Sequence, residues 1–295
     1  MAKKAFATIR SFLKAQSTLR NWLGWGGKSY GFYIPYEYSS HLKFPDQNDC
    51  VEWLKDAFDR QSPEYHALVG EASRFNDRFW EFRAEDPQNA NRPRFNQDWF
   101  PGIDGAMAYT MVRRFQPKQI IEIGSGHSTR FLHQAIRDGG LTTHLHAIDP
   151  APRRGIESIC DEFTRSTVDR VPVDSFLRLN RNDILFVDGS HIAMPGTDVD
   201  WLFSVVFPRL SLGVVIHIHD IFLPNGYPNA WKRRWYNEQN FLLAMIAGGE
   251  RYRILFPSAY MRRYHSEVTD RLLVTERCSG AYESSFWMQV QDMSR

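Results

Sequence analysis

The rhythm of apolar and polar positions changes near residue 95. Before it, apolar residues recur at helical spacing: Phe6, Ile9, Phe12, Leu13, Leu19 and Leu23 share one face, with Lys3, Arg10 and Lys14 opposite. Glycines in 24–31 end that helix, and residues 32–36 form an extended aromatic segment. A second helical region is expected over 50–82, with Pro63 at its break. The polar stretch 85–94 carries two prolines and marks a boundary between a helical, irregular extension, 1–94, and a domain, 95–295. Beyond it, short apolar runs alternate with helical patterns, as in a mostly parallel sheet covered on both faces. The pattern predicts strands at 119–123, 143–148, 167–171, 184–188, 213–219 and 252–256, and a final antiparallel strand at 286–290. Helices are predicted at 105–114, 129–137, 154–163, 198–207 and 230–247.

The run Ile120-Ile121-Glu122-Ile123 breaks into Gly124-Ser125-Gly126-His127-Ser128-Thr129, after which a helical pattern resumes. Strand, glycine turn and helix start in that order suit a nucleotide-type ligand: glycine lets backbone approach it, and the first helical N–H groups attract its polar parts. A dinucleotide fingerprint would place a third glycine where Thr129 stands. Asp149, which ends a second strand about twenty residues on, can accept hydrogen bonds from ribose hydroxyls. Glu122 suits a cationic amino-acid ligand better than a phosphate. Together these features point to an adenosine without pyrophosphate.

Two further strand ends carry chemistry: Val187-Asp188-Gly189-Ser190-His191, and His217-Ile218-His219-Asp220. With the acid-x-Gly-x-Gly turn, they resemble the class I S-adenosylmethionine-dependent methyltransferases, in particular a subgroup found among glycan and natural-product enzymes. The resemblance spans roughly residues 95–295 and includes Asn96-Gln97-Asp98-Trp99, Pro195-Gly196-Thr197-Asp198, Phe207-Pro208-Arg209-Leu210 and Asn237-Glu238-Gln239. It implies a Rossmann-like, seven-stranded, mostly parallel sheet with helices on both faces, joined to the N-terminal helical extension. It also implies methyl transfer to a hydroxyl of a saccharide or other small acceptor.

In that strand order Asp188, His191, His219 and Asp220 meet in one cleft. His191 is the expected base, His219 the second candidate, and Asp188 their partner, since an ordinary histidine titrates near neutrality. The donor, S-adenosylmethionine, would lie along Glu122, Gly124, Ser125, Gly126, Ser128, Asp149 and Asp188. Asp169 or Asp174 would approach its adenine. Asp188, His219 and Asp220 could hold Mg²⁺ or Mn²⁺, although related metal-dependent sugar enzymes usually carry an acid where His219 stands. Otherwise the two acids orient the histidines. His217, deeper in its strand, is expected to be a hydrogen-bonded core residue. The loop 222–229 with Trp231, Arg233, Arg234 and Trp235 would cover the acceptor, unless the two tryptophans form a packed helix face. A relative that keeps the fold without methyl transfer, hydroxylase-like or serving binding and assembly, is the alternative.

Composition adds boundaries. A formal charge of +2 over 295 residues gives no argument for nucleic acid. Cys50, Cys160 and Cys278 are odd in number and lack metal-ligand spacing, as expected for reduced thiols in a cytoplasmic protein. No apolar run approaches a membrane span, and no signal-peptide core follows Lys3 and Lys4. The basic N-terminal helix could rest on an anionic membrane surface, on its own domain, or on a partner chain in an oligomer.

Overall fold

The computed structural model describes residues 36–42, 45–83, 85–86, 89–152, 155–272 and 280–292. The amphipathic N-terminal helix, its glycine-rich end and Cys278 lie outside the described residues. The chain divides into two compact units, Met1–Phe44 and Pro45–Arg295. In the first, the described residues include the turn Ser39–His41.

In the second unit one sheet contains β1 (Gln119–Ile123), β2 (His144–Ile148), β3 (Glu162–Thr164), β4 (Ile184–Val187), β5 (Val215–Ile218), β6 (Tyr252–Pro257) and β7 (Phe286–Val290). Their order is β3-β2-β1-β4-β5-β7-β6. Strands β1 to β5 pair in parallel, whereas β7 runs antiparallel between β5 and β6. All positions of β4 and β5 are buried, which is why both read as apolar runs, interrupted in β5 only by His217. The chain leaves β1 toward β2 and returns to β4 on the other side. This switch point is where open α/β sheets form a ligand crevice at the strand ends.

α1 (Glu52–Ala72) passes through Pro63 without a break. The ring removes the N–H that would bond to the Asp59 carbonyl, and the Ser62 hydroxyl donates to that carbonyl at 2.8 Å instead. The aromatic face of α1 covers the far strands: Phe58 lies 6.2 Å from Phe286, and Tyr65 6.3 Å from Phe256, between ring centres. Residues 52–72 therefore belong to the sheet's own compact unit, and the boundary drawn near residue 94 moves to Pro45. α2 (Gly102–Phe115) is buried at every position from Gly102 to Val112. A Cβ on Gly105 would stand 2.6 Å from the Phe131 ring, so this glycine brings α2 close to α3 (His127–Gly139).

Three predicted elements fall differently. The third strand is 162–164 rather than 167–171, and 168–170 forms a 3₁₀ turn. The predicted helix at 154–163 contains only the turn Glu157–Ile159 and that strand. The predicted helix at 230–247 is broken: a 3₁₀ segment, Asn229–Arg234, ends at Trp235 with φ 60°, and α4 (Glu238–Ala247) starts afresh. No described helix is long and apolar enough to cross a membrane.

Candidate active site

The glycine turn follows from β1 meeting β4. Gly124 has φ 76°, and a Cβ there would lie 2.0 Å from the Asp188 carbonyl oxygen, so no other residue fits. The Gly126 N–H donates to Thr129 Oγ1 at 2.9 Å, which opens α3. Ser125 donates through its N–H and its hydroxyl to Asp149 Oδ2, both at 2.9 Å. Asp149 Oδ1 accepts from the Ala151 N–H at 2.8 Å. The ends of β1 and β2 are thus stapled together, and Asp149 stays half-exposed. Its strand-end charge is satisfied locally, so a ribose would share or replace the Ser125 bonds.

Glu122 behaves otherwise than expected. It is fully buried, and Ser128 Oγ donates to its Oε1 at 2.6 Å. Burial pushes its carboxyl up to about 8, against the opposing effect of the Ser128 bond. At neutral pH it is protonated, so it holds the turn from behind rather than presenting a charge to a cation.

At the ends of β4 and β5, four acids surround two histidines. His191 Nδ1 lies 2.9 Å from Glu238 Oε2, and its Nε2 lies 3.4 Å from both Asp188 Oδ1 and Asp220 Oδ2. His219 Nε2 lies 3.3 Å from Asp104 Oδ2, and its Nδ1 lies 3.5 Å from both Asp188 Oδ1 and Asp220 Oδ1. Asp104 is anchored by the Ser284 and Ser285 N–H groups at 2.8 and 2.9 Å, and Ser284 Oγ donates to Asp220 at 3.1 Å. His191 and Asp220 take left-handed backbone conformations, φ 61° and 57°, which aim both side chains at the cluster.

Burial alone would strip protons from these histidines, but the acids prevail. Bonds to Asp188 and Glu238, with the charge of Asp220, hold His191 well above its ordinary range. His219 is held high by the charges of Asp188 and Asp220 and its bond to Asp104. Burial would likewise raise Asp188, yet His219 and His191 hold it well below the usual carboxylate range. Asp188 keeps 32% of its side chain exposed, against 11% for Asp220 and 5% or less for the others. The acid, not either imidazole, is the face of the cluster that meets the crevice.

His217 is the core residue expected. It stacks on Phe186 at 3.7 Å, bonds Ser285 Oγ at 2.9 Å, and is pushed well below its ordinary range by burial and by the charge of His219. Asp169 lies in the 3₁₀ turn and Asp174 in a short helix, so neither ends a strand beside the crevice.

An aromatic wall stands beside the charged cluster. Phe222, Tyr227, Trp231, Tyr236 and Tyr282 pack edge-on with centres 5.1 to 6.1 Å apart, and Arg234 lies over Trp231 at 3.8 Å. Tyr236 touches His191 at 4.7 Å, joining this wall to the charged cluster. Trp235 is 65% exposed and does not share a packed face with Trp231, because the helix breaks between them and α4. Sequence reasoning missed Asp104, Tyr236, Tyr282 and Ser284, which arrive from distant segments. The signal for Asp104 was an acid in the first turn of a largely apolar helix.

Asp188, His219 and Asp220 do meet, but as an ion-pair cluster. Both nitrogens of His219 face carboxylates. Among the described residues no group of three or more His, Cys, Asp or Glu side chains is arranged to hold a metal ion. No step below passes through a metal ion.

The strand order with an antiparallel seventh strand, and the glycine turn facing an acid-bearing neighbour, define the class I methyltransferase fold. The family described as "Methyltransferase domain" matches residues 121–221, from β1 to just beyond β5. No curated protein matches the sequence. Among solved structures, it is similar to a methyltransferase of Podospora anserina bound to S-adenosylhomocysteine, at 13% identity and TM-score 0.42, covering 89% of this chain and 100% of that one. It is also similar to an O-methyltransferase from Bacillus cereus in complex with S-adenosylhomocysteine, at 16% identity and TM-score 0.39, covering 77% and 91%. A putative O-methyltransferase from Klebsiella pneumoniae aligns at 13% identity and TM-score 0.41, covering 76% and 90%. These likenesses concern the fold alone.

Proposed function

We propose that this chain transfers a methyl group from S-adenosylmethionine to a hydroxyl of a small acceptor, a saccharide being the class the aromatic wall suits. The observation that carries the proposal is the double position of Asp188. Its carbonyl closes on Gly124, while its carboxylate is the exposed edge of the histidine cluster. Donor turn and proton-handling group are therefore parts of one structure.

The residues fit the donor: a cradle that a Cβ would fill at Gly124, and a half-exposed acid at Asp149 for ribose hydroxyls. When bound, S-adenosylmethionine supplies an electrophilic methyl on a sulfonium. Ser125, Gly126 and Ser128 bound the same turn, with Glu122 behind it. The chain then has to place an acceptor oxygen in line and take its proton. Alignment contributes several kcal/mol in such reactions. Held by the glycine turn and Asp149, the donor would supply the methyl, and the acceptor hydroxyl would become acidic as it is methylated, so a carboxylate would be a sufficient acceptor for its proton. Asp188 fills that role, and His191 and His219 keep it ionised. This revises the expectation that His191 is the base, because a ring held protonated by three acids has no free lone pair to offer.

Calorimetry with S-adenosylmethionine, followed by product detection over saccharide and phenolic acceptors, tests the proposal. Wild type should bind the donor and Asp149→Ala should bind it about tenfold or more weakly. Absence of donor binding by wild type would overturn the proposal and favour a binding or assembly role.

A further inference from the structure

We infer, resting on the function proposed above, that the acceptor is acidic: besides its hydroxyl it carries a carboxylate or phosphate, held by Arg234 and Arg233 beside the aromatic wall. The 3₁₀ segment Asn229–Arg234 ends in three consecutive cations, Lys232, Arg233 and Arg234, all exposed. Lys232 acts on the carboxyl of Asp46, whose oxygens already accept from the Asn48 N–H and the Asn229 amide, both at 3.0 Å. The side chains of Arg233 and Arg234 form no ion pair or hydrogen bond with any described residue. Other exposed arginines are matched by acids: Arg114 by Glu71, Arg165 by Glu157, Arg253 by Glu64. Two adjacent guanidiniums without such partners leave positive charge available to a ligand.

Arg234 is also held in place. Its guanidinium lies over the Trp231 ring at 3.8 Å and 5.5 Å from the centre of Tyr236, so the rings orient it while its N–H groups meet no described acceptor. Tyr236 in turn touches His191 at 4.7 Å, and a single ring separates this guanidinium from the charged cluster. Tyr236 therefore lies against two regions of opposite charge. In one, Asp104, Asp188, Asp220 and Glu238 outnumber the two histidines they surround, with Asp188 the member exposed to the crevice. In the other stand Arg233 and Arg234. A neutral sugar has no preferred direction in such a field. An acidic one docks a single way: its anion is repelled by the carboxylates and drawn to the guanidiniums, which turns its hydroxyl toward Asp188. Stacking on Trp231 would explain Arg234 by itself, but not the second unmatched cation beside it.

Calorimetry on the full chain, with and without S-adenosylhomocysteine, tests this assignment with glucose, glucuronate and glucose phosphorylated at its primary hydroxyl. Wild type should bind a charged sugar about tenfold or more tightly than glucose, and added salt should shrink that preference. Arg234→Gln should abolish the preference while binding of glucose and S-adenosylhomocysteine is little changed, and Arg234→Lys should recover part of it. Arg233→Gln, which leaves the ring stack in place, should lower the preference by a smaller factor. Selection of glucuronate alone identifies a carboxylate, and selection of the phosphorylated sugar alone a phosphate. If wild type favours neither charged sugar over glucose, or if folded Arg234→Gln and Arg233→Gln both keep the preference, the acceptor is not held by these arginines. Wild type that keeps the preference but binds no S-adenosylhomocysteine would overturn the donor reading while the anion site stands.

Discussion

The two sides of the crevice are built on different principles. At the ends of β1 and β2, a turn of small residues is fixed by short bonds: Ser125 to Asp149, Thr129 to Gly126, Ser128 to Glu122. At the ends of β4 and β5, six ionisable side chains from α2, two strand ends and α4 hold one another in place. The first side is backbone geometry and short bonds, largely local. The second is a charge network, and each member sets the protonation of the next. Methyl transfer needs both, a fixed donor and a group that can receive a proton.

The largest effect should come from removing the exposed member of the network. Asp188→Asn should lower turnover by about 10²–10⁴-fold while donor affinity by calorimetry stays within a few-fold. An equal loss in both would place Asp188 in donor binding alone. Next come the buried supports. Glu238→Gln and Asp104→Asn should each cost about 10- to 100-fold in turnover, by analogy with outer groups that orient a histidine, with a shifted pH profile and little change in donor affinity.

The profile itself separates the two assignments for His191. Were it a simple base, activity would climb through its ordinary titration near pH 6.5. Because the acids hold both histidines protonated well above that point, the expected profile is flat from about pH 6 to 8. Activity should fall only on the alkaline side, as the imidazolium charges that hold Asp188 in place by ion pairing are lost. A steep rise between about pH 6 and 7 would restore His191 as the base.

The smallest effect concerns the quieter side. Glu122 is raised to about 8 in the folded chain from an ordinary 4.5. Between those values the unfolded chain has released a proton that the folded one retains, so stability is full below about 4.5 and declines as pH rises toward 8. Glu122→Gln should flatten that decline, on the order of a kcal/mol or more between about pH 5.5 and 8, measured by denaturant unfolding. An unchanged slope would show that Glu122 is not the titrating group.

How much the sequence discloses follows the same division. The turn at Gly124–Gly126 and its partner acid were legible because a strand end and a glycine spacing are local patterns, and β7 was legible as a final apolar run. Asp188, His191, His219 and Asp220 were legible as two strand ends, and their meeting followed from the implied strand order. Asp104 and Ser284 were not, since their proximity to His219 depends on how α2 and the start of β7 pack. The protonation of His191 was also hidden: Glu238 lies 47 residues away along the chain. The third strand was misplaced because it is three residues long, too short for its alternation to show.

Asn237, Glu238 and Gln239 have a wider consequence. Asn237 accepts from the Ala193 N–H at 2.7 Å, Glu238 holds His191, and Gln239 accepts from the Phe222 N–H at 3.0 Å and donates to the Asn225 carbonyl at 3.2 Å. Three adjacent residues thus fasten the reactive centre and the loop beneath the aromatic wall to one helix start. Specificity could be rewritten at the rings themselves, by exchanging Trp231 or Tyr282, without retuning the chemistry. Any change that tilts this triplet would disturb recognition and reactivity together.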